Sequence, residues 1–220
     1  MIKAVIFDLY GTLMTSHEAS ESIEEALSKI LREAGYEIYF QEVWAARQFV
    51  AFIDYTRGRA NTPHEYYAKV LERLEIHPDS RLVDKFVNKD FEMQKNELYP
   101  DVAATVNKLK TREIKTAILT TIATWRFMPL LEQNKIEIDF VCTAREAAAV
   151  KPNPRIYQIV LTRFGINAEE AMMVGDDIKT DILPAKSLGI KAVLLSRNIR
   201  TDCKDADHIV SSLTEITDLL

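Results

Sequence analysis

Lys3-Ala4-Val5-Ile6-Phe7-Asp8-Leu9-Tyr10-Gly11-Thr12-Leu13 is an apolar run that ends on a carboxylate and turns at a glycine. An unbroken Val/Ile/Phe segment of this kind reads as a strand buried on both faces, the mark of a parallel sheet. In open parallel sheets ligands gather just beyond the carboxyl ends of the strands, and Asp8 is expected to stand there. Taken alone, an Asp after a strand also serves as a turn or helix-capping residue. Two later segments supply it with partners.

The first, Lys151-Pro152-Asn153-Pro154-Arg155-Ile156-Tyr157, puts a lysine just before a capped helix. The second, Met172-Met173-Val174-Gly175-Asp176-Asp177-Ile178-Lys179-Thr180-Asp181, sends another apolar strand into three acids within six residues. Asp177 in that run can also cap the following helix. Carboxylates gathered at one strand end repel one another unless a cation sits among them, and hard divalent ions with oxygen ligands, Mg²⁺ above all, suit the position.

Outward from these segments the chain divides in two. Between about residues 15 and 98 the pattern is purely helical. Ile23, Ala26, Leu27, Ile30, Leu31 and Ala34 form one stripe at helical spacing. A second helix is expected from Gln41 to Arg57, stopping at Gly58; a third opens on the capping-box signature Thr62-Pro63-His64-Glu65; a fourth runs from Asp79 to about Asn96. Four amphipathic helices can bury their stripes against one another as a small bundle. From Pro100 onward the rhythm alternates. Helices at 101–111, 124–133, from Asn153 to Gly165 and one ending at Gly189 interleave with strands at 116–120, 140–143, 171–174 and 191–195. A short strand near 208–210 and a helical turn close the chain. Such alternation predicts an α/β fold, a mostly parallel sheet with helices on both faces, interrupted after its first strand by the helical insert.

With 47% hydrophobic and 28% charged residues and no apolar run of the roughly 20 residues that span a bilayer, no membrane partner is expected. Asp8 also interrupts the apolar core that a signal peptide would need, which points to a cytoplasmic protein. The net charge of −5 without a basic block argues against nucleic acid as a partner. Cys142 and Cys203 lack metal-ligand spacing and indicate neither a zinc site nor a disulfide framework.

Asp8, Lys151 and the Asp176 cluster, in that chain order, resemble the haloacid dehalogenase superfamily of hydrolases over nearly the whole chain. The resemblance implies a Rossmann-like α/β core over residues 1–14 and 99–220, with a helical cap domain over residues 15–98 that opens and closes on hinges near Thr12 to Ser16 and Asn96 to Pro100. It implies that Asp8 is the nucleophile, that Thr120 hydrogen-bonds the transferring group, and that Lys151 neutralises charge on both. Thr121 stands where the family usually has Asn, so one contact orienting the substrate is weakened. The motif GDDxxxD implies Mg²⁺ held by Asp8, the main-chain carbonyl of Tyr10, Asp176 and Asp177, with Asp181 outside the immediate ligand set.

Tyr10 departs from the phosphatase pattern, which carries there a second Asp that protonates the leaving alcohol; Asp-Leu-Tyr-Gly-Thr-Leu is similar to the first motif of the 2-haloacid dehalogenases, whose halide leaves without a proton or a metal. Two adjacent acids facing Asp8 weigh toward metal and phosphate. The expected function is therefore Mg²⁺-dependent hydrolysis of small phosphorylated metabolites by a monomer or homodimer acting on a small anionic substrate. The alternatives are 2-haloacid dehalogenation and, in another class, a weakly catalytic protein that binds a phosphorylated ligand. Arg47, Arg57, Arg59 and His64 are the cap residues that could meet an anion.

Overall fold

Val5 and Phe7 point to one face of a central strand and Ile6 to the other, and two separate apolar cores grow from that alternation. The computed structural model describes residues 1–16, 21–197 and 203–220. The chain forms two units, Met1–Thr15 with Asn96–Leu220, and Ser16–Lys95.

In the first unit six parallel strands form one sheet: β1 (Ala4–Phe7), β4 (Lys115–Leu119), β5 (Phe140–Cys142), β6 (Ala171–Gly175), β7 (Lys191–Leu195) and β8 (His208–Val210), in the order β5-β4-β1-β6-β7-β8. The chain thus starts in the middle, builds outward through β4 and β5, and returns to the opposite side of β1 with β6. That reversal opens a crevice at the carboxyl end of β1, where ligands of such sheets bind. Helices α5 (Val102–Thr111) and α6 (Met128–Gln133) pack with the C-terminal turn at Leu213–Asp218 on the Val5/Phe7 face. Helices α8 (Pro154–Phe164) and α9 (Leu183–Ser187) cover the Ile6 face. The expected helix over 124–133 is broken: a 3-10 turn at Thr124–Arg126 precedes α6, which carries Pro129 in its first turn. A short helix α7 (Ala144–Ala147) falls where none was expected. Met14–Ser16 (β2) and Asn96–Leu98 (β3), which fall in the segments expected as hinges, pair as a two-stranded sheet.

Asp101 fastens the C-terminal part of this unit. Its carboxylate accepts from both terminal nitrogens of Arg197 at 3.0 Å, from Ser212 Oγ at 2.8 Å and from the Leu213 amide at 2.9 Å. The same guanidinium lies 3.7 Å from the centre of the Tyr99 ring and donates to the Thr12 carbonyl at 2.8 Å, in the loop that follows Asp8. Burial works against the Asp101 charge, but these donors outweigh it and hold its carboxyl below its ordinary value. A lowered carboxyl contributes stability that is present above the ordinary Asp range near 4 and is lost as pH falls through the folded value. Asp101→Ala is expected to cost about 2 to 4 kcal/mol at neutral pH, because a largely buried guanidinium loses its partner. Urea titrations at pH 7 and pH 3 check this: the difference between wild type and variant should shrink at the lower pH.

The second unit consists of α1 (Ile23–Glu33), α2 (Phe40–Phe49) running into a π turn at Val50–Asp54, α3 (Pro63–Arg73) and α4 (Ser80–Met93). Capping boxes at Ser22/Glu25 and Thr62/Glu65 start α1 and α3. Leu27, Leu31, Val43, Val50, Tyr67, Leu71 and Phe86 are fully buried, and the Tyr67 and Phe86 rings meet edge to face at 5.7 Å. Arg47 is not an open anion contact: its guanidinium is buried and ion-paired with Glu24. His64 lies 3.2 Å from Asp84, and Arg59 lies 3.8 Å from the buried Asp54. Arg57 is exposed.

Candidate active site

Register places the expected residues. Phe7 is level with Ile118 of β4 and Val174 of β6, so Asp8, Thr120 and Asp176 emerge from three neighbouring strands at the same end of the sheet. The Asp8 amide donates to the Val174 carbonyl at 2.9 Å, which ties the residue to β6, and Asp8 is 7% exposed. Thr120 is buried; its amide donates to the Cys142 carbonyl at 3.0 Å, and its Oγ1 accepts from the Ile122 amide at 3.1 Å. That last bond uses an acceptor site of the hydroxyl and leaves its proton to be donated elsewhere. Thr121 follows, half-buried.

Lys151, delivered by the loop before α8, is the cation of the site. Its Nζ donates to Asp8 Oδ1 and, at 2.7 Å, to Asp181 Oδ1. Burial disfavours the ammonium, but the Asp8 and Asp181 charges more than offset that and raise its pKa.

The acids converge differently from what their spacing suggests. Carboxylate oxygens of Asp8, Asp176 and Asp181 all lie within 4.8 Å of one another. Asp177, expected among the metal ligands, instead folds back over its own turn and accepts from the Lys179 and Thr180 amides at 2.7 and 2.8 Å. The reason is local: the chain leaves β6 in a π turn over Ile178–Ile182, for which Asp177 is the N-terminal cap, and this turn brings Asp181 back against Gly175. Asp181 is fully buried and its Oδ2 accepts from the Asp177 amide at 3.1 Å. Tyr157 on α8 donates its hydroxyl to the Thr180 carbonyl and fixes the turn from below. Asp181, expected in the acid cluster but outside the immediate ligand set, joins Asp8 and Asp176 there, whereas Tyr157 beside its turn and Arg197 at the Asp8 loop are parts of this arrangement that sequence reasoning left out. Nothing in residue spacing signals the π turn or the long-range Arg197 contact.

Two glycines make room. A Cβ on Gly11, whose φ is +80°, would come 2.1 Å from Asp176 Oδ2, and one on Gly175 would come 2.2 Å from Asp181 Oδ2. Gly11→Ala is expected to displace Asp176 and lower turnover about 10²-fold, the usual cost of misplacing a reacting geometry by an ångström. Steady-state kinetics beside a circular dichroism spectrum separate this from unfolding.

The Tyr10 ring is partly buried and packs against the apolar core that contains Phe7 and Leu9. The charge count of the cluster is one ammonium against three carboxylates. The imbalance is felt at Asp176, whose carboxyl is pushed up to about 6 by burial and by the Asp8 charge. Asp181 is raised as well, with burial outweighing Lys151. A divalent cation fits this setting: oxygens of Asp8, Asp176 and Asp181 lie within 4.8 Å of one another, and the two glycines leave room for the Asp176 and Asp181 carboxylates.

The model of the haloacid dehalogenase-like hydrolase family matches residues 2–189, and this chain belongs to that family. Among curated proteins it is 30% identical to ribulose-1,5-bisphosphate 5-phosphatase of Halopiger xanaduensis, over the whole of both chains. It is 26% identical to a glyceraldehyde 3-phosphate phosphatase of Methanocaldococcus jannaschii, covering 100% of this chain and 97% of the relative. It is also 27% identical to (S)-2-haloacid dehalogenase 4A of Burkholderia cepacia, covering 100% and 95%. The solved 2-haloacid dehalogenase from Pseudomonas syringae pv. Tomato DC3000 shares the fold with a TM-score of 0.72 at 22% identity, over 100% of this chain and 98% of that one. No described helix is long and apolar enough to cross a membrane.

Proposed function

We propose that this hydrolase is a Mg²⁺-dependent phosphatase of small phosphorylated metabolites, working in the cytoplasm through an aspartyl-phosphate. The observation that carries the reading is the clustering of the Asp8, Asp176 and Asp181 carboxylates beside the one ammonium of Lys151, which bonds Asp8 and Asp181, a site short of positive charge until a cation arrives. Phosphatases among the relatives of similar length support it.

In this mechanism an Asp8 carboxylate oxygen attacks phosphorus in line with the leaving oxygen. The phosphorus–oxygen bond to the alcohol breaks, and its electron pair leaves on that oxygen. Water then attacks the phosphorus, the bond from phosphorus to the Asp8 oxygen breaks, and inorganic phosphate leaves as the Asp8 carboxylate is restored. Thr120 donates its hydroxyl proton to a phosphoryl oxygen, and Lys151 steadies the charge that shifts between Asp8 and the phosphoryl group. Asp181 holds Lys151 in place. Mg²⁺ bound by Asp8, Asp176 and the Tyr10 carbonyl would offset the charge of the phosphate and the carboxylate nucleophile. Without an acid at position 10 the leaving group departs unassisted, so phosphates of acidic alcohols are the favoured substrates. The inserted helical unit is proposed to act as the family's cap and to select substrates.

The alternative, 2-haloacid dehalogenation, is favoured by Tyr10 in the first motif and by a dehalogenase among the relatives. An assay of phosphate release from p-nitrophenyl phosphate with Mg²⁺, set beside chloride release from 2-chloropropionate with chelator, separates the two. Chloride release that survives complete chelation, without phosphatase activity, would overturn the phosphatase reading.

A further inference from the structure

Arg197, just beyond β7, is buried more deeply than a surface ion pair requires: its side chain is 13% exposed, and its Nε is buried without a hydrogen-bond partner. A buried ion pair adds little stability over apolar packing of similar volume, but it can fix geometry. Segments far apart in sequence meet on this guanidinium. Its two terminal nitrogens hold the Asp101 carboxylate at 3.0 Å, Nη2 also donates to the Thr12 carbonyl at 2.8 Å, and the Tyr99 ring lies against it. The loop from Asp8 to Leu13 is thereby held at both ends. At its front the Asp8 amide bonds the Val174 carbonyl at 2.9 Å; at its rear the Thr12 carbonyl meets Arg197 and the Leu13 carbonyl accepts from the Tyr99 amide at 3.0 Å. The Thr12 hydroxyl is buried and has no hydrogen-bond partner among the described residues, so the side chain adds no polar anchor of its own.

Between these anchors the loop closes on itself. The Gly11 amide donates to the Met14 carbonyl at 2.8 Å, and the Leu13 and Met14 amides donate to the Leu9 carbonyl at 2.8 and 3.0 Å. Gly11, in the middle, lies so close to Asp176 that an added Cβ would come 2.1 Å from Oδ2. A slip of the rear anchor therefore changes how the loop meets Asp176. We infer that Arg197 is a positioning residue: its guanidinium clamps the rear of the nucleophile loop and so sets that loop, with the Tyr10 carbonyl it carries, against Asp176. The planar fork suits the task because it serves a carboxylate with two bonds and still has a donor for a carbonyl, whereas a lysine ammonium is a point donor. The expected effect on turnover rests on the phosphatase reading; the effect on the loop does not.

The test compares Arg197→Ala with Ser212→Ala, which removes the 2.8 Å bond to Asp101 but keeps the guanidinium in place. Three readouts are taken on the full chain: amide hydrogen exchange without metal, Mg²⁺ affinity by calorimetry, and steady-state kinetics on p-nitrophenyl phosphate. In Arg197→Ala the Gly11, Leu13 and Met14 amides should exchange about tenfold faster, while those of β6 keep their wild-type rates, because the opening is local. Mg²⁺ affinity and kcat should each fall about 10- to 100-fold, the usual cost of losing a group that orients metal ligands. KM at saturating Mg²⁺ should hold, since Thr120 and Lys151 stand on other segments. Ser212→Ala should lower the melting temperature and leave the loop exchange, Mg²⁺ affinity and kcat unchanged. Should Arg197→Ala fail to fold, Arg197→Lys, which keeps the charge and loses the fork, is measured in its place and should show the same pattern. Loop amides that keep their wild-type rates, or that speed up only in step with β6, overturn the proposal. So does a loosened loop with undiminished Mg²⁺ affinity and kcat, or the same loosening in Ser212→Ala. A wild type without Mg²⁺-dependent phosphate release refutes the phosphatase reading instead, and the exchange comparison still decides whether Arg197 clamps the loop.

Discussion

Asp8→Asn is expected to abolish turnover while leaving the fold, and even the stability of the metal-free protein, intact. The amide keeps the shape of the carboxylate and lacks the charge that attacks phosphorus. Loss of a nucleophile costs on the order of 10⁴ to 10⁶ in rate, so phosphate release from an aryl phosphate should drop below detection. Stability should not fall with it, because three carboxylates surround one ammonium and the substitution leaves Lys151 its 2.7 Å bond to Asp181. One repulsive partner of Asp176 is removed. The measurement is a pair: steady-state kinetics with Mg²⁺, and thermal melting without it. Retention of more than a few per cent of wild-type activity would show that Asp8 is not the nucleophile. A large drop in melting temperature would show that its charge is needed to hold the fold.

What the sequence revealed and what it concealed follow from the range of each signal. Buried parallel strands such as Ala4–Phe7 and Ala171–Gly175 are legible as apolar runs, and α1, α3 and α8 are legible because a cap and a stripe agree. The three-residue strands β2 and β3 carry too few side chains to show a period, and their pairing is non-local. At the site, Asp8, Thr120 and Asp176 are legible because each follows an apolar strand, and strands of a parallel sheet end together. Lys151 has no such pattern, and its assignment rests mainly on the resemblance to a family. Asp177 and Asp181 show the limit most clearly. Adjacency in sequence suggested that Asp176 and Asp177 act as a pair, yet neighbouring residues diverge as soon as the chain turns. The π turn sends Asp177 to its own backbone amides and returns Asp181 to the cluster. Arg47, read as an anion contact, is occupied by Glu24, twenty-three positions away in sequence.

Lys151→Met should have the largest effect on stability, and the effect should depend on pH. The lysine side chain is 8% exposed and bridges Asp8 to the fully buried Asp181. Methionine fills most of its volume and leaves two buried carboxylates without their cation, a loss of about 3 to 5 kcal/mol at neutral pH. For a chain of this size that corresponds to a fall in melting temperature of roughly 6 to 20 °C. The sign follows from the Asp176 and Asp181 carboxyls, which are raised. A raised group contributes stability that is complete below its unfolded value and is lost as pH climbs through its folded value. In the metal-free wild type Asp176, pushed up to about 6, already produces such a decline between about pH 4 and 6, and Asp181 adds to it. Without Lys151 nothing opposes the burial of Asp181, so the decline becomes deeper and extends to higher pH. Differential scanning calorimetry at pH 5 and pH 8 should therefore find a small gap between wild type and variant at the lower pH and a wide one at the higher. Added Mg²⁺ should narrow the wide gap, since a cation near Asp8 and Asp176 takes over part of the neutralisation. A gap that stayed constant across that range would mean that Lys151 contributes by packing alone, and that the charge balance from which the site's chemistry is argued is not what holds the site together.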